Sequence, residues 1–161
     1  MWTMARKRRT FEEMADSGFD LRLVPDLELM VLKTHTYVEA MLRRVLADRL
    51  GLGDGNECVN SLNYWRLAHL ALGNEADRDL LELVESLNRV RNEIAHDLEL
   101  DAGSKDLEGF VRGVIQPLRA DYVWPGPNEA EARRKDFSFA ATYVARQLID
   151  RMTIRDWKRA E

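Results

Sequence analysis

What most limits the fold of this 161-residue chain is the spacing of its apolar residues, which recur every three or four positions rather than alternating. That period lines up side chains along one face of a helix, whereas a half-buried strand needs a period of two. Nine glycines and four prolines divide the pattern into segments. From Pro25 to about Leu50, one side carries Leu29, Leu32, Val38, Met41, Leu42, Val45 and Leu46; Pro25 suits a first turn and Gly51 a C-terminal stop. The glycine-rich stretch 51–56 reads as a loop, and a second helix is expected over residues 57–72, ending at Gly73. The third and most periodic segment starts near Glu75 and carries Leu80, Leu81, Leu83, Val84, Leu87, Val90, Ile94 and Ala95. A fourth helix is expected from Lys105 to about Tyr122, with Pro117 kinking or interrupting its hydrogen-bond ladder. After a stiff turn at Trp124 to Asn128, a charged run from Glu129 leads into Phe137, Phe139, Ala140, Tyr143, Val144, Leu148, Ile149 and Met152, a last helix reaching toward Trp157. The expectation is an all-α chain, an up-and-down bundle of four to five helices. Residues 1–20 read as a basic lead segment and 21–161 as one helical domain.

Composition narrows what such a bundle does. Hydrophobic residues make up 45% of the chain, enough to fill one core. The formal charge of −4 excludes a polycation that coats nucleic acid. Yet the basic residues are five lysines against nineteen arginines, and the planar arginine fork is suited to phosphates and carboxylates. The arginines gather at 6–9, at Arg43 with Arg44, at Arg89 with Arg91 and at Arg133 with Arg134, which leaves room for a small phosphate-gripping cleft. A single cysteine, Cys58, cannot form an intramolecular disulfide, so a reducing, cytoplasmic setting is expected. No apolar run is long enough for a membrane span, and an acidic segment follows the basic start where a signal peptide needs apolar residues.

Chemistry concentrates at the end of the third helix, in Leu87-Asn-Arg-Val-Arg-Asn-Glu-Ile-Ala-His-Asp. A cation suited to phosphate charge and an imidazole able to move a proton near neutral pH stand close together in this segment. Arg91 and His96 supply them, but five residues of helix set the two side chains about 140° apart. They converge only if the helix ends early or if His96 meets Arg91 of a second copy. The alternative is that both simply complement the negative end of the helix dipole.

The string of Arg91, Asn92 and His96 resembles the Arg-Asn-x-x-x-His signature of the HEPN superfamily, the nucleotide-binding domains of higher eukaryotes and prokaryotes. The resemblance implies an all-helical, dimeric domain and RNA cleavage, in a toxin-antitoxin or phage-defence setting with an antitoxin or other partner protein. It assigns catalysis to Arg91, Asn92 and His96, with no cofactor and no metal. His96 is then the acid or base, Arg91 the phosphate clamp and Asn92 an orienting group. His35 and Glu39, one turn apart on the first helix, become supporting residues, with Arg91 the expected partner of Glu39; the alternative is an ordinary His-Glu pair at the edge of the core. Arg43, Arg44 and Arg89 are candidate RNA contacts, with solvated surface charge as the alternative for Arg43 and Arg44. Leu98 departs from the His-x-Tyr ending of toxins that pair with a nucleotidyltransferase. Glu93 and His96 match half of a di-iron pattern whose second half is missing, and His69, flanked by apolar residues, is expected at the edge of the core. Two other readings use the same bundle: an HEPN-like module that binds RNA or nucleotide without cleaving it, and a dimeric helical adaptor.

Overall fold

The computed structural model describes residues 21–53, 55–97, 100 and 103–159, with side chains at all of these except 22, 97 and 153–159. The basic lead segment 1–20 and Leu98 therefore lie outside the described residues. Every regular element among those described is helical: α1 (Leu27–Leu50), α2 (Glu57–Asn60), α3 (Tyr64–Leu72), α4 (Arg78–Asp97), α5 (Lys105–Ile115) and α6 (Ala130–Arg159), with short 3-10 turns at Leu21–Leu23 and Glu75–Asp77. The chain is an all-α helical bundle.

Local chemistry sets the boundaries. Asp26, not Pro25, opens α1, its carboxylate accepting from the Leu29 amide at 2.8 Å. Gly51 closes α1 at φ 67°, a left-handed conformation that a side chain disfavours, with its N–H returning to the last turn. The single helix expected over 57–72 is two, because Asn63 caps a fresh start by accepting from the Arg66 amide at 2.9 Å. Pro117 ends α5 at Ile115 rather than kinking a longer helix, since it has no N–H for the Gly113 carbonyl. Ser104 caps α5 through the Leu107 amide, 3.1 Å away.

In the bundle, α1 packs against α6, α3 and α4, while α5 bridges α4 and α6. Phe110, Phe137, Met30, Met41, Leu42, Leu67, Leu87 and Leu148 are fully buried between them, the two phenylalanine rings 5.6 Å apart. Because α1 meets helices on several sides, its buried surface is broad and includes Met30, Val31, Tyr37 and Val38. The sequence pattern places Leu29 and Leu32 on the core side; they are instead exposed, on a strip of α1 that no described helix covers. Phe139 departs in the same way and is half exposed on α6.

Long-range polar contacts reveal the helix directions. Leu100, just beyond α4, donates its N–H to Glu28 at the start of α1, so α4 runs against α1. Ser104 and Asp106 at the start of α5 meet Glu93 and Arg89 of α4, so α5 runs against α4. Arg134 near the start of α6 donates to the Val24 carbonyl before α1, so α6 runs with α1. Relative to α1, α4 thus runs the opposite way and α5 and α6 run the same way, the 116–129 connection returning the chain before α6 begins. At the opposite end, buried Asp77 accepts from Arg49 of α1 and Arg151 of α6, both at 2.7 Å, and ties three elements together.

Candidate functional site

The fourth helix carries the site. At about 100° per residue, Glu85, Asn88, Asn92 and His96 fall within one stripe some 80° wide. The opposite face, with Val84, Leu87, Val90 and Ile94, is buried in the core. The helix stays regular through His96 to Asp97, so Arg91 and His96 project about 140° apart and do not converge within one chain. Arg91, Asn92 and His96 are all solvent-exposed. Among the described residues Arg91 makes no ion pair, and its one hydrogen bond is a 3.3 Å contact from Nη1 to Asn92 Oδ1.

Most other described arginines are already neutralised. Arg43 pairs with Glu39, Arg44 with Asp48 at 3.1 Å and Arg89 with Asp106 at 3.4 Å. The three candidate RNA contacts are therefore engaged by carboxylates of their own chain. The pairing expected between Glu39 and Arg91 is replaced, in the contact the structure gives, by a one-turn pair between Glu39 and Arg43. Arg91 remains the uncommitted cation of the motif.

Helix packing brings a second layer against α4. His35 of α1 is buried, and its Nε2 faces Asn88 Oδ1 at 3.0 Å, so that nitrogen donates and carries the proton. Its ring stacks on Tyr64 with centroids 4.2 Å apart. The Tyr64 hydroxyl in turn donates to the Val84 carbonyl at 3.1 Å. Burial pushes the His35 pKa below its ordinary value; the Asn88 hydrogen bond and the Glu39 charge oppose this, while Arg91 and Arg43 add to it. Burial, and after it the Glu39 charge, holds the Tyr64 phenol well above its usual range. His35 is thus a neutral, oriented imidazole in the seam between α1 and α4, close enough to Arg91 to feel its charge.

Sequence reasoning singled out His35 and missed Asn88 and Tyr64, whose roles depend on contacts across 53 and 20 residues. The available signal was the recurrence of Asn88 and Asn92 along the stripe of α4. His69 sits at the core edge as expected, but it also stacks on exposed Trp65 and meets Glu85 at 3.2 Å. Trp124 is half-buried against the core, while the Trp157 side chain lies outside the described residues. Glu93 accepts from Ser104 Oγ at 2.5 Å, a structural link to the cap of α5. Among the described residues no group of three or more His, Cys, Asp or Glu could hold a metal, and no helix is long and apolar enough to cross a membrane. Comparison with protein-family models, curated proteins and solved structures finds no match for this chain.

Proposed function

We propose that this chain is a metal-independent endoribonuclease of the HEPN type, acting as a homodimer in the cytoplasm within a toxin-antitoxin or phage-defence system. One observation carries the reading: Arg91 is exposed and without an ion pair among the described residues, although the other candidate RNA contacts, Arg43, Arg44 and Arg89, are all paired. An arginine in that condition is ready for a phosphate. His96, exposed one turn beyond Asn92, supplies the imidazole for proton transfer.

The reaction transfers no electrons. A base takes the proton of the RNA 2′-hydroxyl, its oxygen bonds to the adjacent phosphorus, and the bond from phosphorus to the 5′-oxygen breaks. The leaving oxygen takes a proton, giving a 2′,3′-cyclic phosphate and a 5′-hydroxyl. Arg91 meets the charge that builds on the phosphoryl oxygens, and Asn92 orients the phosphate or the imidazole. Because α4 keeps Arg91 and His96 apart in one copy, the working pair combines Arg91 of one protomer with His96 of its partner.

The test is cleavage of single-stranded RNA in EDTA by the wild type, Arg91→Ala and His96→Ala. Activity should vanish in each variant and return when the two inactive variants are mixed, since one site of the mixed dimer keeps both groups. The same angular separation favours a second reading, a dimeric module that binds RNA or nucleotide without cutting it. Intact RNA with a folded, RNA-binding dimer would establish that reading instead; no RNA binding by any variant leaves a helical adaptor.

A further inference from the structure

Trp65 is the most exposed aromatic residue whose side chain the structure describes, at 59% of its full accessibility, and it lies in the first turn of α3. One face of the indole is covered by His69, with centroids 4.0 Å apart and planes 29° from parallel. His69 is held from two sides: Nδ1 contacts the Trp65 carbonyl at 2.9 Å and Nε2 lies 3.2 Å from Glu85. The result is a flat ring braced from behind in a position where burial contributes little. Leaving that much apolar surface in water has a cost that a ligand could recover.

Its surroundings indicate what the ligand is. The preceding residue, Tyr64, stacks on His35, which meets Asn88 of the α4 stripe, so the helix that carries the indole packs against the candidate site. Glu85, which holds His69, belongs to the α4 stripe that continues through Asn88 to Asn92 and His96. Six residues of helix separate Glu85 from Arg91, about 9 Å along the axis and about 120° around it, so a strand leaving the indole crosses the Asn88 and Asn92 stripe to reach the guanidinium. A cation is also at hand: Arg66, beside Trp65, is exposed and, like Arg91, makes no ion pair among the described residues.

We propose that Trp65, braced by His69, is a stacking platform for an unpaired nucleobase of a single-stranded RNA whose phosphate Arg91 grips. This rests on the ribonuclease reading and adds to it the requirement for an unstacked base, because a base paired in a duplex does not offer its face to the indole. Stacking is blind to base identity, so the platform favours single strands without selecting a sequence.

The experiment measures binding of the full chain to a short fluorescent single-stranded RNA by anisotropy, using Trp65→Ala, Trp65→Phe and Arg91→Ala. Trp65→Ala should weaken binding on the order of tenfold, and Trp65→Phe should recover most of the loss. A strand with abasic sites should bind the wild type and Trp65→Ala equally. Thermal melts and size-exclusion profiles confirm that each variant keeps its fold and association state. Equal RNA affinity of the wild type and Trp65→Ala, with Arg91→Ala still defective, overturns the platform and leaves the ribonuclease reading intact. An affinity loss that merely follows dissociation of a dimer also overturns it, since Trp65 then contacts a second copy. Failure of the wild type to bind RNA overturns both readings.

Discussion

Replacing Asp77 by Asn tests whether one buried carboxylate holds the end of the bundle together. The residue is 7% exposed, and its oxygens accept from Arg49 Nη2, Arg151 Nε and Asn74 Nδ2, each at 2.7 Å. Asparagine keeps the shape but removes the charge, and its amide NH2 must then face at least one donor. Hydrogen bonds to charged groups are worth about 1.5–3 kcal/mol, against about 0.5–1.5 kcal/mol for neutral ones, so two weakened arginine bonds cost roughly 2 kcal/mol. A donor left facing a donor adds about 1–3 kcal/mol. The arginine side chains, 28% and 22% exposed, recover some hydration, which holds the total near 2–4 kcal/mol rather than the larger penalty of a fully buried pair. In a chain of this length that lowers Tm by about 4–16 °C.

The dependence on pH makes the argument sharper. Burial acts to raise the Asp77 carboxyl, but the hydrogen bonds from Asn74, Arg151 and Arg49 more than reverse it, leaving the pKa below its ordinary 3.8. A carboxylate with a depressed folded-state pKa contributes stability that is complete above its unfolded value and is lost as pH falls through the folded one. The gap between wild type and Asp77→Asn, measured by urea denaturation followed by circular dichroism, should therefore be constant near neutrality and close at acidic pH. A gap under about 0.5 kcal/mol at neutral pH, or one unchanged in strong acid, would refute the view that ion pairing at Asp77 ties α1 and α6 to the start of α4.

Two further outcomes follow from named contacts. His35 has a folded-state pKa below its ordinary 6.5, so the unfolded chain binds more protons there; stability should decline as pH falls through that value, and His35→Asn should flatten the slope. An unchanged slope in urea midpoints measured above and below that pH would contradict a neutral His35 in the α1 and α4 seam. Gly109 lies inside α5 with open space where a Cβ would be, so Gly109→Ala should stabilise by about 1 kcal/mol, visible as a rise in Tm of about 2–4 °C. A fall in Tm would show that this face of α5 is occupied, most simply by a second copy.

How much of this could be read in advance depended on the range of the interactions involved. Helix content, the cap at Gly51 and the stripe on α4 arise from neighbours within a few residues, and periodicity exposes them directly. The division of the 57–72 segment was also written locally, in Asn63, but apolar spacing alone passes over a cap. Leu29 and Leu32 fit the apolar repeat yet face outward, because the number of helices packed around α1 is not a property of α1. Within the candidate site, the regular helix and the angular separation of Arg91 from His96 were legible from five residues of spacing. The neutralisation of Arg43, Arg44 and Arg89 was less so: two of the three carboxylates lie one turn away, while Asp106 comes from another helix.

By itself, then, the sequence determined that the chain is helical, where most helices begin or end, and which face of α4 collects Asn88, Asn92 and His96. Only the tertiary structure decided that His35 meets Asn88 and Tyr64, that Asp77 joins Arg49 to Arg151, and that Trp65 rather than Trp124 stands exposed. The physical reason is range: helix formation is settled by hydrogen bonds four residues apart, whereas burial, ion pairing and ring stacking between helices depend on how whole faces fit together.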